Sequence, residues 1–171
     1  MPKSILIILL TSVFNLNLGA QTEKNIFSEE QHLFTKIENI NIETKSGNYP
    51  LSKFYSQRPI ILTLIFTRCT GICSPSILLL SENLMKSELK KDFKLVVLSF
   101  DPMDSLKNMN YFSDKLNLSE NEQWIFGITK DIPTLLKNVG FSPTWDSTQQ
   151  QFDHDAFLVG INQNGLIVKK S

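Results

Sequence analysis

The only two cysteines of the chain, Cys69 and Cys73, stand four positions apart. Before them, positions 59–66 form a short apolar run rich in β-branched and aromatic residues, which predicts a buried strand. After them, apolar residues recur at helical spacing, with Ser74 as a candidate N-cap and Pro75 suited to the first turn. Cys69 is therefore predicted in the loop that leaves the strand, and Cys73 at or just before the helix start. Thiols paired in this way are typical of a soft metal site or a redox-active pair.

Two features next to the cysteines favour their ionised form. A helix N-terminus stabilises anions, and Arg68 adds a positive charge beside the first sulfur, so we expect both thiols to ionise more readily than a free cysteine. If both residues were helical, their Cβ atoms would stand about 5–6 Å apart, which is wider than the roughly 3.5–4.5 Å of a relaxed disulfide. A metal ion spans that gap more easily, but a first cysteine in the loop leaves a reversible disulfide open. A purely structural disulfide is disfavoured, because closing so short a ring removes little chain entropy.

A soft metal site needs a third ligand, and the chain has two histidines, His32 and His154. His32 lies in a polar stretch and is predicted to be solvated. His154 comes just before a predicted strand of the same sheet as the cysteine-bearing strand, which predicts a loop beside the cysteines; a surface position is the alternative. The flanking Asp153 and Asp155 could orient the imidazole. Two thiolates and one imidazole suit Cu(I) best on softness, whereas the same set with a water would hold zinc.

The amino-terminal residues predict export. Lys3 is followed by an apolar run at 5–10 and by the small residues Gly19 and Ala20, which is typical of a secretory signal peptide over residues 1–20. An uncleaved membrane tether through residues 5–14 is the alternative. The mature chain is then expected outside the cytosol, in the periplasm or anchored facing it, where a lone cysteine pair tends to be a working site.

Length and charge limit the function classes further. Residues 21–39 are predicted as a polar lead-in, and residues 40–171 are long enough for one domain with its own core. Lysine plus arginine total 17, and aspartate plus glutamate also total 17, with no basic block. This balance argues against nucleic acid as a partner.

Apolar periodicity predicts alternating strands and helices. The predicted strands are 41–44, 59–66, 93–100, 124–128, 156–161 and 166–168, and the predicted helices run from the cysteines to about Lys90, over 106–116 and over 132–139. Asn164-Gly165 between the last two apolar runs favours a hairpin. This order predicts an α/β sandwich with a central mixed β-sheet flanked by helices and a C-terminal β-hairpin. Cys69 then lies at the carboxyl end of a central strand, a usual place for sites in open α/β sheets.

Other soft or aromatic side chains are not predicted as ligands. Phe100, Phe141, Trp145 and Phe152 are candidates to line a cleft beside the site, although aromatic residues of a small domain are mostly core. Met85 fits the packing pattern of its predicted helix, and Met103 and Met109 lack any telling spacing.

Four short motifs along the chain carry a family resemblance. They are Phe66-Thr67-x-Cys69-x-x-x-Cys73, Ser99-x-Asp101-Pro102, Asp153-His154 and the turn from Asn162 to Gly165. In this order they resemble the SCO/SenC family, thioredoxin-like copper proteins that assist assembly of the binuclear copper centre of cytochrome c oxidase. The likeness covers nearly the whole mature chain. Three features differ from the family pattern: Ser74 separates the second cysteine from Pro75, Thr70-Gly71 replaces the acidic residue often found between the cysteines, and Asp104 arrives one position early.

The resemblance implies a fold, a site and a partner. It implies a thioredoxin-like sandwich, copper held by Cys69, Cys73 and His154, and delivery to a membrane-bound cytochrome c oxidase subunit or another copper acceptor. The first predicted function is therefore a copper chaperone. The second is a thiol–disulfide oxidoreductase that keeps acceptor cysteines reduced, with Cys69 attacking and Cys73 resolving the mixed disulfide. A third, peroxide reduction through a sulfenic acid on Cys69, needs no histidine.

Overall fold

A seven-stranded mixed sheet carries the fold in the computed structural model, which describes residues 32–88 and 92–171. The strands of this sheet are β1 (Asn41–Thr44), β2 (Gly47–Pro50), β3 (Ile60–Ile65), β4 (Lys94–Ser99), β5 (Trp124–Ile128), β8 (Leu158–Ile161) and β9 (Ile167–Lys170). Their order across the sheet is β2-β1-β5-β4-β3-β8-β9. A second sheet consists of β6 (Thr144–Asp146) and β7 (Gln151–Asp153).

The helices of the described residues are α1 (Ser52–Tyr55), α2 (Cys73–Lys86), α3 (Leu106–Lys115) and α4 (Ile132–Val139). The bounds of α4 agree with the prediction, and Gly140 ends it in the left-handed conformation (φ 60°), which glycine adopts without a Cβ clash. The predicted N-cap of α2 is wrong: the helix already begins at Cys73, Ile72 is the cap residue, and no side chain accepts a hydrogen bond there. It also ends at Lys86 rather than near Lys90, because Ser87 turns to extended backbone.

The three parallel strands at the centre of the sheet end level with one another. Ile65 of β3 pairs with Ser99 of β4, and Ser99 pairs in turn with Ile128 of β5. Strand β8 runs antiparallel to β3, with Leu158 opposite Thr63, so the segment before β8 lies at the carboxyl edge of β3. This topology brings the predicted cysteine loop and the predicted histidine loop to one edge of the sheet, as the sequence order alone had indicated.

The core lies on both sides of this sheet. Strands β3 and β4 are almost wholly buried, as their uninterrupted apolar runs predict. The predicted α/β sandwich with a mixed sheet, flanking helices and a C-terminal hairpin (β8–β9) is confirmed.

The predicted lead-in and the predicted amino-terminal segment precede the first strand of the sheet. Ile37, within the stretch predicted as a polar lead-in, is buried, and the neighbouring Lys36 forms a β-bridge with Leu166. The predicted signal peptide (1–20) and the membrane tether through residues 5–14 lie outside the described residues. Within residues 32–88 and 92–171, no helix is both long and apolar enough to cross a membrane.

Candidate metal centre

Three side chains converge at the carboxyl edge of β3. The sulfurs of Cys69 and Cys73 and a ring nitrogen of His154 all lie within 4.8 Å of one another, and Cys73 Sγ is 3.5 Å from His154 Nε2. Both cysteines are free thiols; Cys73 is buried, whereas Cys69 is half-buried. The structure therefore brings together the three residues that the sequence singled out. Within the described part of the chain, no other group of three histidine, cysteine or acidic side chains converges in this way.

The imidazole of His154 is oriented by the backbone. Its Nδ1 lies 2.8 Å from the carbonyl oxygen of Asp155. A carbonyl only accepts hydrogen bonds, so Nδ1 carries the proton and donates it, and the lone pair of the neutral ring is on Nε2. Nε2 is the nitrogen that faces Cys73. The partner that fixes the tautomer is thus the backbone of Asp155 rather than the Asp153 or Asp155 carboxylate that the sequence suggested.

Aromatic rings enclose the imidazole on its inner side. The ring centroids of Phe66, Phe100 and Phe141 lie 5.6, 5.4 and 5.8 Å from that of His154, each in a tilted or edge-to-face arrangement. Phe152 packs against Phe66 and Phe100 in turn. These phenylalanines belong to the core or pack on it, as predicted, and they also form the wall of the site. A low-dielectric wall of this kind strengthens interactions with the polar groups that face it.

Burial changes the acidity of the second cysteine. Cys73 occupies the first position of α2, yet removal from water, followed by its hydrogen bond with Cys69, raises the pKa of the Cys73 thiol far above its usual range. The prediction that both thiols ionise more easily is therefore wrong for Cys73: desolvation outweighs the helix terminus. The guanidinium of Arg68, which the sequence suggested as a charge beside the first sulfur, is paired with the Asp101 carboxylate at 2.7 Å.

Two carboxylates at the end of β4 hold the chain that leads to Cys69. Asp101, whose side chain is 1% exposed, accepts from Arg68 Nη2. Asp104 accepts from the backbone amide of Thr67 at 2.7 Å and from its hydroxyl at 2.5 Å. The role of Asp104 was missed by sequence reasoning; its shift by one position from the family pattern was the available signal.

The β6–β7 hairpin completes the surroundings of the site. It was missed because each strand has only three residues, too few for a periodic pattern. His154 directly follows β7, and Gln151 of that strand accepts a hydrogen bond from Thr70 in the cysteine loop at 3.0 Å. The half-exposed Trp145 of β6 packs edge-to-face on Phe152. The hairpin therefore ties the histidine loop to the cysteine loop.

The remaining histidine and the methionines lie elsewhere. His32 is not fully solvated as predicted; it is half-buried, and its ring lies close to the α-carbon of Gly140. Burial and the nearby Lys170 lower the pKa of His32. Met109 is buried in the core and Met103 is exposed; Met85 is exposed as well, so the prediction that it packs within its helix is wrong. None of these four residues belongs to the three-ligand group.

No protein-family model matches the sequence, and no match is found among curated proteins either. Solved structures match well. A SCO1/SenC family lipoprotein from Bacillus anthracis str. Ames aligns with a TM-score of 0.68 and 21% identity over 81% of this chain and 84% of its own. BsSco, a member of the Sco family of cytochrome c oxidase assembly proteins with a disulfide switch, aligns with a TM-score of 0.66 and 21% identity over 81% of this chain and 83% of its own. The chain has the SCO/SenC fold.

A copper-bound structure belongs to the same group of neighbours. ScoI from Bradyrhizobium japonicum, solved with copper bound, aligns with a TM-score of 0.65 and 16% identity over 80% of this chain and 88% of its own. The SCO/SenC fold confirms the predicted thioredoxin-like sandwich and the predicted resemblance at the level of the fold. On that fold, this chain presents two sulfurs and one imidazole nitrogen, a soft set of few ligands that suits a monovalent copper ion by its chemistry.

Proposed function

We propose that this chain is a copper-binding protein of the SCO/SenC type, which holds copper through Cys69, Cys73 and His154 and passes it to an exported or membrane-bound acceptor. The acceptor that we propose is the copper centre of cytochrome c oxidase. The observation that carries the proposal is the convergence of the three soft ligand atoms within 4.8 Å. Two structural neighbours support it: BsSco is a member of a family of cytochrome c oxidase assembly proteins, and ScoI was solved with copper bound.

The unequal burial of the ligands suits transfer of a metal. Cys73 is buried, whereas Cys69 and His154 are both half-buried, and the ring of His154 packs against the phenylalanine wall. Cys69 lies on the loop, outside any helix or strand, so it is the ligand that an incoming acceptor thiolate reaches and displaces first. Copper is the cargo in this scheme. Because the Cys73 thiol holds its proton in the metal-free protein, binding copper releases that proton.

The proposal includes the organisation of the chain. Residues 1–20 act as a signal peptide or an uncleaved anchor, residues 21–39 lead into the domain with Lys36 and Ile37 already packed on it, and residues 40–171 form the copper-binding domain, which faces the periplasm. The match to a SCO1/SenC family lipoprotein supports this location.

Competition for Cu(I) tests the copper site directly. The reduced protein is titrated anaerobically with Cu(I) against a chromophoric chelator, beside Cys69→Ser, Cys73→Ser and His154→Ala. We expect one tightly bound Cu(I) per chain and a loss of affinity of at least about tenfold in each variant. His32→Ala is the matched control, because it removes a histidine outside the group. Weak binding by the unmodified protein, or full affinity in His154→Ala, would contradict the three-ligand site.

A second function is favoured by the paired thiols themselves. Two free sulfurs lie close together, one accessible and one buried, which is the arrangement of a dithiol that reduces a disulfide. Cys69 thiolate attacks a partner disulfide and releases one partner thiol; Cys73 then attacks the mixed disulfide, releases the second thiol and leaves the pair oxidised. His154→Ala separates the two functions, since it removes a copper ligand and keeps both sulfurs. Disulfide reduction that survives in His154→Ala, with copper affinity lost, would show that both activities exist.

A further inference from the structure

The carboxylate of Asp104 accepts three hydrogen bonds, all on one side of the metal centre. It accepts hydrogen bonds from the Thr67 amide at 2.7 Å, the Thr67 hydroxyl at 2.5 Å and the Ser99 hydroxyl at 2.6 Å. A charged acceptor makes shorter and stronger hydrogen bonds than a neutral one. Asp104 is half-buried, so water competes only partly for these donors. Asp104 therefore joins the end of β4, at Ser99, to the chain that follows β3, at Thr67.

Specific contacts restrain the chain between β3 and Cys69. Thr67 is held by Asp104, Arg68 is held by Asp101, and the amide of Cys69 donates to the carbonyl of Phe66 at 3.2 Å. Cys69 lies outside any helix or strand, so these contacts replace the regular hydrogen bonds that would otherwise fix its backbone. Cys73, in contrast, is fixed by α2. Among the three proposed ligands, Cys69 is the one whose place depends on this set of side-chain contacts.

We propose that Asp104 is a positioning residue for the metal centre, which sets the place of the Cys69 sulfur through Thr67. The inference rests on the proposed copper site. Asp104 is not part of the group of three ligand atoms, so it acts on the metal through the loop and not by coordination. Loss of its bonds lets the loop move, and the Cys69 sulfur then meets copper at a less favourable distance and angle.

Asp104→Asn tests this with the least change of shape. The side-chain amide of asparagine donates at one of its two positions, so it cannot accept from all three donors that Asp104 serves. We expect Cu(I) affinity to fall about 10- to 100-fold, the range typical of residues that orient metal ligands. A readout that loss of stability alone would not move is the thiolate-to-copper charge-transfer band of the Cu(II) form, which we expect to shift.

Two pairs of variants make the result specific. Thr67→Val removes the hydroxyl donor and Thr67→Ser keeps it, so the first is expected to lower affinity and shift the band, while the second retains both. Asp114→Asn, an exposed carboxylate on α3, is the matched charge control. Thr129→Val removes a buried hydroxyl that donates to Asn41 at 2.7 Å, and it controls for lost stability away from the cysteines.

The outcomes separate this inference from the function on which it rests. If the unmodified protein binds no Cu(I), the proposed function fails and this inference fails with it. If the unmodified protein binds Cu(I) tightly and Asp104→Asn and Thr67→Val keep both its affinity and its band, the copper site stands and the positioning role of Asp104 is overturned. Weaker binding with an unchanged band in Asp104→Asn, matched by Thr129→Val, also overturns it, because the effect is then one of stability.

Discussion

Cys69 and His154 lie at the same site, but different kinds of interaction hold them there. The approach to Cys69 is held by directional bonds: an ion pair between Arg68 and Asp101 and two hydrogen bonds from Thr67 to Asp104. His154 is held mainly by ring packing, with one hydrogen bond from Nδ1. Directional bonds fix an atom closely but can be lost one at a time, whereas packing is shared among many contacts. We therefore expect changes on the Cys69 side to lower copper affinity more than changes on the His154 side do, and changes on the His154 side to cost more stability.

The largest effect is expected from Phe100→Ala, on the His154 side. Phe100 is 2% exposed and packs against Phe66, Phe141, Phe152 and the imidazole. Removal of a buried phenyl ring is expected to cost about 3–5 kcal/mol of the free energy of unfolding, measured by denaturant titration. Copper affinity of the folded protein should fall only a few-fold, because the hydrogen bond from Nδ1 still orients the ring. Phe100→Leu, with a smaller cavity, is the variant to use if Phe100→Ala does not fold. A loss of affinity greater than the loss caused by Asp104→Asn would contradict the comparison.

Arg68→Met tests the other side by removing the ion pair. The Asp101 carboxylate is almost fully buried and, among the residues that the structure describes, would keep only the amide of Met103 as a donor. An under-satisfied buried carboxylate is expected to cost about 1–3 kcal/mol of stability. Because the loop before Cys69 is released, Cu(I) affinity should fall about tenfold, in the manner of other residues that support metal ligands. Arg58→Met is a control for loss of an arginine elsewhere. Unchanged affinity in Arg68→Met would show that Cys69 does not depend on this ion pair.

A smaller effect is expected where the two sides meet. Thr70→Val removes the hydroxyl that donates to Gln151 and so separates the cysteine loop from the β6–β7 hairpin. This hydrogen bond is exposed, so its loss is expected to cost less than about 1 kcal/mol of stability. The rate at which copper passes to an excess of chelator should rise a few-fold, because the loops open more often, and stopped-flow absorbance would measure it. Thr70→Ser keeps the hydroxyl and is the matched control. Equal transfer rates in both variants would mean that the hairpin does not restrain the loop.

The smallest effect that we expect is a pH dependence of the free energy of unfolding, caused by His32. His32 lies against Gly140, the residue before Phe141, and its pKa is lowered by burial and by Lys170. A histidine with a lowered pKa in the folded protein stabilises the fold above its unfolded pKa of about 6.5, and this contribution is lost as the pH falls through its folded pKa. We expect the stability difference between the unmodified protein and His32→Gln to shrink between pH 7.5 and pH 5, in denaturant titrations without metal. A difference that grows on acidification would reverse the sign, and altered Cu(I) affinity in His32→Gln at pH 7.5 would contradict its place outside the site.

Local patterns were sufficient to predict most of the elements. The apolar runs that became β3 and β4 are buried on both faces, so they need no alternation and are recognised by length and β-branched content. The end of α4 was predicted at Gly140 because glycine alone adopts that left-handed turn freely. The β6–β7 hairpin was not predicted, since strands of three residues have no period to detect. The N-cap of α2 was also misplaced, by two residues, because a cap without a side-chain hydrogen bond leaves no signal in the residue types.

The sequence by itself determined the chemistry of this protein: two thiols and one imidazole at stated positions, on elements whose order brings their loops to one edge of a sheet. Residue type sets softness and hydrogen-bonding capacity whatever the fold, so Cys69 and Cys73 could be named from their types and spacing, and the family resemblance then favoured His154 as a ligand over a surface position. Only the tertiary structure decided how those groups behave. Burial raises the pKa of Cys73 against the expected effect of the helix terminus, Asp101 draws Arg68 into an ion pair, and Asp104 holds Thr67. Each of these depends on distances between residues far apart in the chain, and electrostatic and desolvation energies depend on distance and burial, which residue order does not contain.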